Sequence, residues 1–294
     1  MFDPFRYDFF VLGIAATTLA GGLCGLMGVY IVLRRMSYIG HGMAHAVFGG
    51  AVVSYVIPFM GFFVGASIWG FLTALLITLT TRKRQIGADA AIGIITTSSF
   101  AIGVAVISRY KTFTRDFEAA LFGNILGVSP GDLAAIAAVS AAAVVIVFLG
   151  FKLLLFATFD QEVARFYGVP TGWIDAMFSL VLAATIVVSL QVLGATLIAA
   201  AIVIPPIVAR LLTNSFRRMV VLSTGVGAFC GLTGIYVSWW IDVSSGASVV
   251  LLSAALFVAA LVYSGLRRQF GASRRRRTAR PPGDVPAGST PPAV

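Results

Sequence analysis

Apolar residues along this chain neither alternate nor keep to one helical face. They come in blocks of about 20, apolar all round and parted by short polar turns, and a bilayer core of roughly 30 Å requires spans of that length. The first block covers about 9–33 and closes at Arg34 and Arg35. The second starts immediately afterwards and runs to about Pro58, with Gly49 and Gly50 allowing close packing. Blocks at about 61–80 and 90–108 follow, the former stopping at Arg82, Lys83 and Arg84, and the next at about 133–156 has Lys152 near its end. From 173 to 212 the apolar stretch is too long for one crossing and is interrupted by Gln191, Gly194, Pro205 and Pro206, which predicts two short or broken helices. The last blocks, about 220–240 and 247–263, flank a tight turn at 242–246. The pattern predicts an all-α integral membrane protein, a polytopic bundle of eight or nine transmembrane helices, nine if 173–212 crosses twice.

Composition agrees: 59% of residues are hydrophobic and 11% charged, against about 25% charged in soluble domains. The 31 glycines suit close helix packing. A net charge of +10 would suggest nucleic acid in a soluble protein, but Arg267, Arg268, Arg274, Arg275, Arg276, Arg277 and Arg280 follow the last apolar block. They read as a cytoplasmic tail near anionic lipid, with no nucleic-acid role. The chain therefore divides into a membrane domain, 1–266, and a basic, then Pro/Gly-rich tail, 267–294, disordered over its final 14 residues. The start of the chain lacks a basic signal-peptide region, so the first block reads as a retained span. The basic turns at 34–35 and 82–84 belong in the cytoplasm, which places the N-terminus outside and the C-terminus inside. Parity then puts the 109–132 connection outside, although it carries Arg109, Lys111 and Arg115 beside Asp116 and Glu118. Cys24 and Cys230 lie far apart in apolar blocks and read as small core residues. No short-period repeat is evident.

Candidate chemistry is concentrated in the second block, which holds both histidines of the chain, His41 and His45. At i and i+4 they share a helix face about 6 Å apart, so they can approach one cation or line one polar path. Hydrogen bonding between helices is the competing reading, although ionisable residues within membranes are usually functional. A second feature is the amphipathic segment 158–170, with Asp160, Glu162 and Arg165, ended by Gly168 and Pro170. It is either an ordinary connector or a cytoplasmic helix that docks a soluble partner. Gln191 reads first as interhelical glue and second as a ligand. There is no Walker-type glycine loop, His-Glu-x-x-His, Cys-x-x-Cys or Gly-x-Ser-x-Gly, so the chain is not expected to be an enzyme, and uphill transport would need a separate ATPase.

Several stretches together resemble the permease subunits of the ABC-3 family of zinc, manganese and iron importers. They are 29–45, 91–94, Leu121-Phe122-Gly123, 159–170, Val192-Leu193-Gly194 with 205–212, and 242–247, in the family's order and across about 10–265. The resemblance implies a cytoplasmic ATPase, an extracytoplasmic metal-binding protein and a second permease, identical or related, around a central path. It places His45 where the family has its histidine, and His41 where members usually have a carboxylate. It also makes Phe159, Asp160, Glu162, Arg165 and Gly168 candidates for ATPase docking, and Gln191, Gly194, Pro205 and Pro206 candidates for the pathway or for helix packing. No permanently bound cofactor is implied; the divalent metal is cargo. Two copies of the histidine pair would offer up to four nitrogen donors, which suit zinc first and manganese next. The alternatives are a metal chelate or haem-like ligand on the same scaffold, a membrane-embedded metalloenzyme, and a non-catalytic scaffold.

Overall fold

The computed structural model of the chain describes residues 4–56, 61–82, 87–110 and 121–278. Pro58, Lys83, Arg84, Lys111, Arg115, Asp116, Glu118 and the tail beyond 278 lie outside the described residues. All regular elements among the described residues are helical: α1 Asp8–Leu33, α2 Ser37–Val56, α3 Phe62–Arg82, α4 Ala88–Arg109, α5 Pro130–Leu149, α6 Phe151–Phe159, α7 Gln161–Phe166, α8 Thr171–Leu193, α9 Ile198–Leu212, α10 Phe216–Ile241 and α11 Ser245–Thr278. Seven of these (α1, α3, α4, α5, α8, α10 and α11) are long and apolar enough to cross a membrane. The histidine-bearing α2, 20 residues long, and the shorter α9 complete the bundle.

Helix α1 is the spine, buried continuously from Ala20 to Val32. Small residues let α10 lie against it backbone to backbone. A Cβ on Gly21 or Gly227 would strike the other's carbonyl oxygen, and Gly25 and Gly231 stand in the same relation to the carbonyls of Ser223 and Thr17. The Ser223 hydroxyl adds a bond to the Gly25 carbonyl at 2.6 Å, a favourable use of a hydroxyl where water is absent. Helix α2 meets α4 by the same device, Gly49 seating against the Ser99 carbonyl.

The elements differ from the sequence expectation at two places, 133–156 and the last helix, and agree with it at 173–212. The expected span 133–156 divides at Gly150 into α5 and α6. The capping box of Ser129 and Asp132, with Pro130 in the first turn, starts α5 a few residues early. The last helix continues past 263 to Thr278, since arginine is a good helix former and no proline intervenes before Pro281. The 173–212 region is resolved as two helices, α8 and α9, joined by a turn at Gly194.

That turn is built by three segments far apart in sequence. Gly194 (φ +78°) and Gly123 (φ +82°) both occupy backbone space closed to other residues. The Asn124 N–H donates to the Gln191 carbonyl at 2.8 Å, and the Thr196 N–H to the Leu121 carbonyl at 3.2 Å. Gly246 packs against the Phe122 and Leu193 carbonyls, where a Cβ would come within 2.7 and 2.8 Å. Irregular backbone is thereby satisfied by other irregular backbone.

Within α9, Pro205 and Pro206 have no N–H and so leave the carbonyls of Ala201 and Ile202 without their usual helical donors. Gly28 brings α1 directly onto the Ile202 carbonyl, with the Pro206 ring alongside. The prolines are thus a packing device between α1 and α9, and both are buried.

Candidate functional site

The histidines lie in the first three turns of α2. Their ring centroids are 4.4 Å apart, with the planes inclined at 57°. Tyr38 stands one turn before them, its ring 6.0 Å from His41. Phe100 of α4 lies on the other side, 5.0 Å from the His45 ring. Gly42 holds this face of α2 close to α4, its Cβ position 2.9 Å from the Thr96 side chain. Both rings are partly exposed, whereas the neighbouring Met43 and Ala44 are fully buried. Nδ1 of His45 is buried without a hydrogen-bond partner. A cation about 2 Å from one nitrogen of each ring is compatible with this spacing. Among the described residues no cluster of three or more His, Cys, Asp or Glu forms around any point, so the described residues of one copy offer this histidine pair alone.

The second candidate region is at the end of the bundle where α1 turns into α2. Asp160 caps α7, its Oδ1 accepting from the N–H groups of Glu162 (3.1 Å) and Val163 (2.9 Å). Arg165 donates from Nε to Thr171 at 2.9 Å, and Gly168 (φ +77°) makes the turn into α8. Asp160, Arg165 and Gly168 therefore hold the segment's shape. Its exposed surface combines Gln161, Glu162 and Arg165 with the aromatic residues Phe159, Phe166 (86% exposed), Tyr167 and Trp173 (70%). The sequence reading passed over Phe166, Tyr167 and Trp173, because an aromatic residue near an apolar block gives no sign of whether it faces lipid, core or partner.

It also read Arg34 only as a topological charge. In the structure Arg34 is 6% exposed and pairs with Asp175 of α8 at 2.7 Å. A lone aspartate in the first turns of an apolar span was the available signal, since an ionisable group there needs a partner. Among the pathway candidates, Gln191 contributes its backbone carbonyl to the Gly194 turn, Pro206 lies on the α1 side of α9, and Pro205 is buried beside it.

Residues 6–264 match the ABC 3 transport family. The chain belongs to this family. It is 36% identical over 258 residues to the manganese transport system membrane protein MntC of Halalkalibacterium halodurans, covering 88% of each chain. It is 30% identical over 264 residues to the chelated iron transport system membrane protein YfeC of Yersinia pestis, covering 90% of this chain and 89% of that one. Among solved structures, it resembles PsaBC from Streptococcus pneumoniae in complex with a Fab, with a TM-score of 0.78 and 32% identity over 87% of this chain and 91% of that one. The chain is accordingly a multi-pass membrane permease of a metal-importing ABC transporter and not an enzyme, with ATP hydrolysis residing in a separate subunit.

Proposed function

We propose that the chain passes a bare divalent first-row metal ion along the His41–His45 face of α2, paired with a second permease copy and driven by a cytoplasmic ATPase docked on α7. An extracytoplasmic protein would deliver the ion. The observation that carries this reading is the pair of imidazoles 4.4 Å apart, with the His45 Nδ1 buried and unpartnered. Two nitrogens underfill any first-row ion, and the matching face of a second copy would supply two more. Such a site need not bind tightly, since transport requires release.

The relatives' names point to manganese and iron. The replacement of a carboxylate by His41 favours nitrogen-loving zinc over manganese. Elemental mass spectrometry of cells lacking their own high-affinity importers, and expressing this chain with its partner subunits, decides the cargo. His45→Ala should cut uptake of the preferred metal by about tenfold or more, the range for removing a group that supports a metal site. His41→Asp should shift selectivity toward manganese. Unchanged uptake in both variants, each present in the membrane, would make the histidines structural.

A second reading, a metal chelate as cargo, is favoured by one observation. A cavity of about 720 Å³ at the opposite end of the bundle is lined by Phe9, Phe10, Phe122 and Trp239 among others, and aromatic walls suit an organic ligand. Uptake of metal supplied only as chelate, insensitive to His45→Ala, would support it.

A further inference from the structure

We infer that the Arg34–Asp175 ion pair, with the arginine side chain 6% and the aspartate 26% exposed, is the joint that links the ATPase-docking segment to the histidine helix, so that Arg34 and Asp175 are positioning residues for coupling. This rests on the reading of α7 as the docking helix. Arg34 is the C-cap of α1 and stands three residues before α2 begins. The intervening Arg35 takes a left-handed conformation, φ +56°, which a non-glycine residue holds only when its surroundings impose it. The turn is closed by bonds from the Arg34 N–H to Tyr30, from Arg35 to Val32 and from Met36 to Ile31.

The Arg34 guanidinium makes contacts on three sides. Nη1 pairs with Asp175 Oδ1 at 2.7 Å, Nε donates to Thr158 Oγ1 of α6 at 3.1 Å, and the group lies over the Phe178 ring, 4.7 Å from its centre. Asp175 uses its other oxygen, Oδ2, to accept from Gln161 Nε2 at 3.2 Å. Gln161 is the first residue of α7. A continuous path of polar contacts thus runs from the start of α7, through α8, to the turn that fixes the direction of α2. Arg165, near the end of the same short helix, is tied to α8 at Thr171. These side chains, with Thr78, Thr81 and Ser179, line a cavity of about 370 Å³ in which the parts have room to shift.

An ion pair drawn partly out of water contributes little net stability compared with apolar residues of the same volume, because desolvation offsets the attraction. Its strength lies in geometry: a charge this deeply buried must follow its partner. Movement of α7 and the first turn of α8 would therefore carry Arg34, and the start of α2, with it. His41 sits on that helix one turn in, so the histidine face would change its aspect with each cycle of the ATPase.

The test uses the complete transporter in proteoliposomes, measuring metal transported per ATP hydrolysed together with ATPase co-purification. Gln161→Ala removes only the link between α7 and Asp175, leaving the ion pair, and Asp175→Asn removes the charge. Both should keep the ATPase bound and hydrolysing while the metal-to-ATP ratio falls about two- to thirtyfold, the range expected for residues that carry coupling between sites. Asp175→Glu, which keeps the carboxylate, should restore most of the ratio. An unchanged ratio in Gln161→Ala and in assembled Asp175→Asn overturns the proposal. If Asp175→Asn does not assemble, Gln161→Ala decides alone. Phe166→Ala serves as the control for docking: if it leaves ATPase binding intact, the docking reading itself is wrong, whatever the relay variants do.

Discussion

Single residues decide whether backbones can meet in this protein. Gly194 is the clearest case, because its backbone (φ +78°, ψ 154°) lies in a region nearly reserved for glycine, and a Cβ there would strike the Leu121 carbonyl. Gly194→Ala should therefore destabilise the fold by about 1–3 kcal/mol from backbone strain alone, with the steric clash added to it. A lower melting temperature in detergent, together with lower yield, would record this, and an unaltered melting curve would show that the turn relaxes freely. The glycine was visible in the sequence as an interruption of an apolar stretch. What it packs against was not, since Leu121 and Gly123 lie 73 and 71 residues from Gly194 in sequence. Arg34 gives the same lesson with charge. A positive pair after an apolar block satisfies the topology rule so fully that nothing in the local sequence asks for Asp175, 141 residues on. His41 and His45 were legible because their relationship is local: the i, i+4 spacing fixes their mutual approach wherever the helix goes.

At the scale of elements, hydrophobic block length located the long helices well, since the bilayer imposes it. The breaks between elements were harder to place. Gly150 ends α5 inside what reads as one span, and arginines extend α11 beyond the apolar limit. The short α7 shows how a marginal element can still be well formed. Six residues cannot hold a helix in isolation, but Asp160 caps it at one end, Gly168 turns it at the other, and Ala164 is fully buried beneath it. This leaves Phe166, Tyr167 and Trp173 facing outward, the aromatic types that carry most binding energy at protein interfaces. Truncating Phe166 to alanine should lower ATPase affinity about five- to thirtyfold, as loss of about 1–2 kcal/mol at an interface anchor implies. Charge reversal by Glu162→Lys should uncouple transport while the permease still reaches the membrane. Co-purification and uptake assays separate the two effects, and full transport in both variants would remove α7 from the interface.

The whole molecule sorts its chemistry between two ends. Arg34, Arg35, α6, α7 and the Thr213–Ser215 turn gather at one, where Arg210, Arg218 and Arg267 also line a single cavity. Phe9, Trp239, the 123–125 segment and the 242–245 turn gather at the other. Basic residues prefer the cytoplasmic face and aromatic rings the interfaces, so the first end should face the cytoplasm. α9 requires one more step, because its 15 residues rise only about 22 Å, short of a core of roughly 30 Å. If the turn at Gly194 and the segment bonded to it make up the difference, α9 would complete a crossing and the count of crossings would become odd. On this reading we propose that the N-terminus lies outside and the C-terminus inside. Both native cysteines are buried, so an introduced thiol can report its side against a low background. Ser244 and Asn214 are exposed at opposite ends. A membrane-impermeant maleimide applied to intact cells should label Ser244→Cys at once and Asn214→Cys only after the membrane is opened. The reverse pattern would invert the molecule and move α7 away from any cytoplasmic ATPase. Labelling of both sites in intact cells would mean that α9 turns back without crossing.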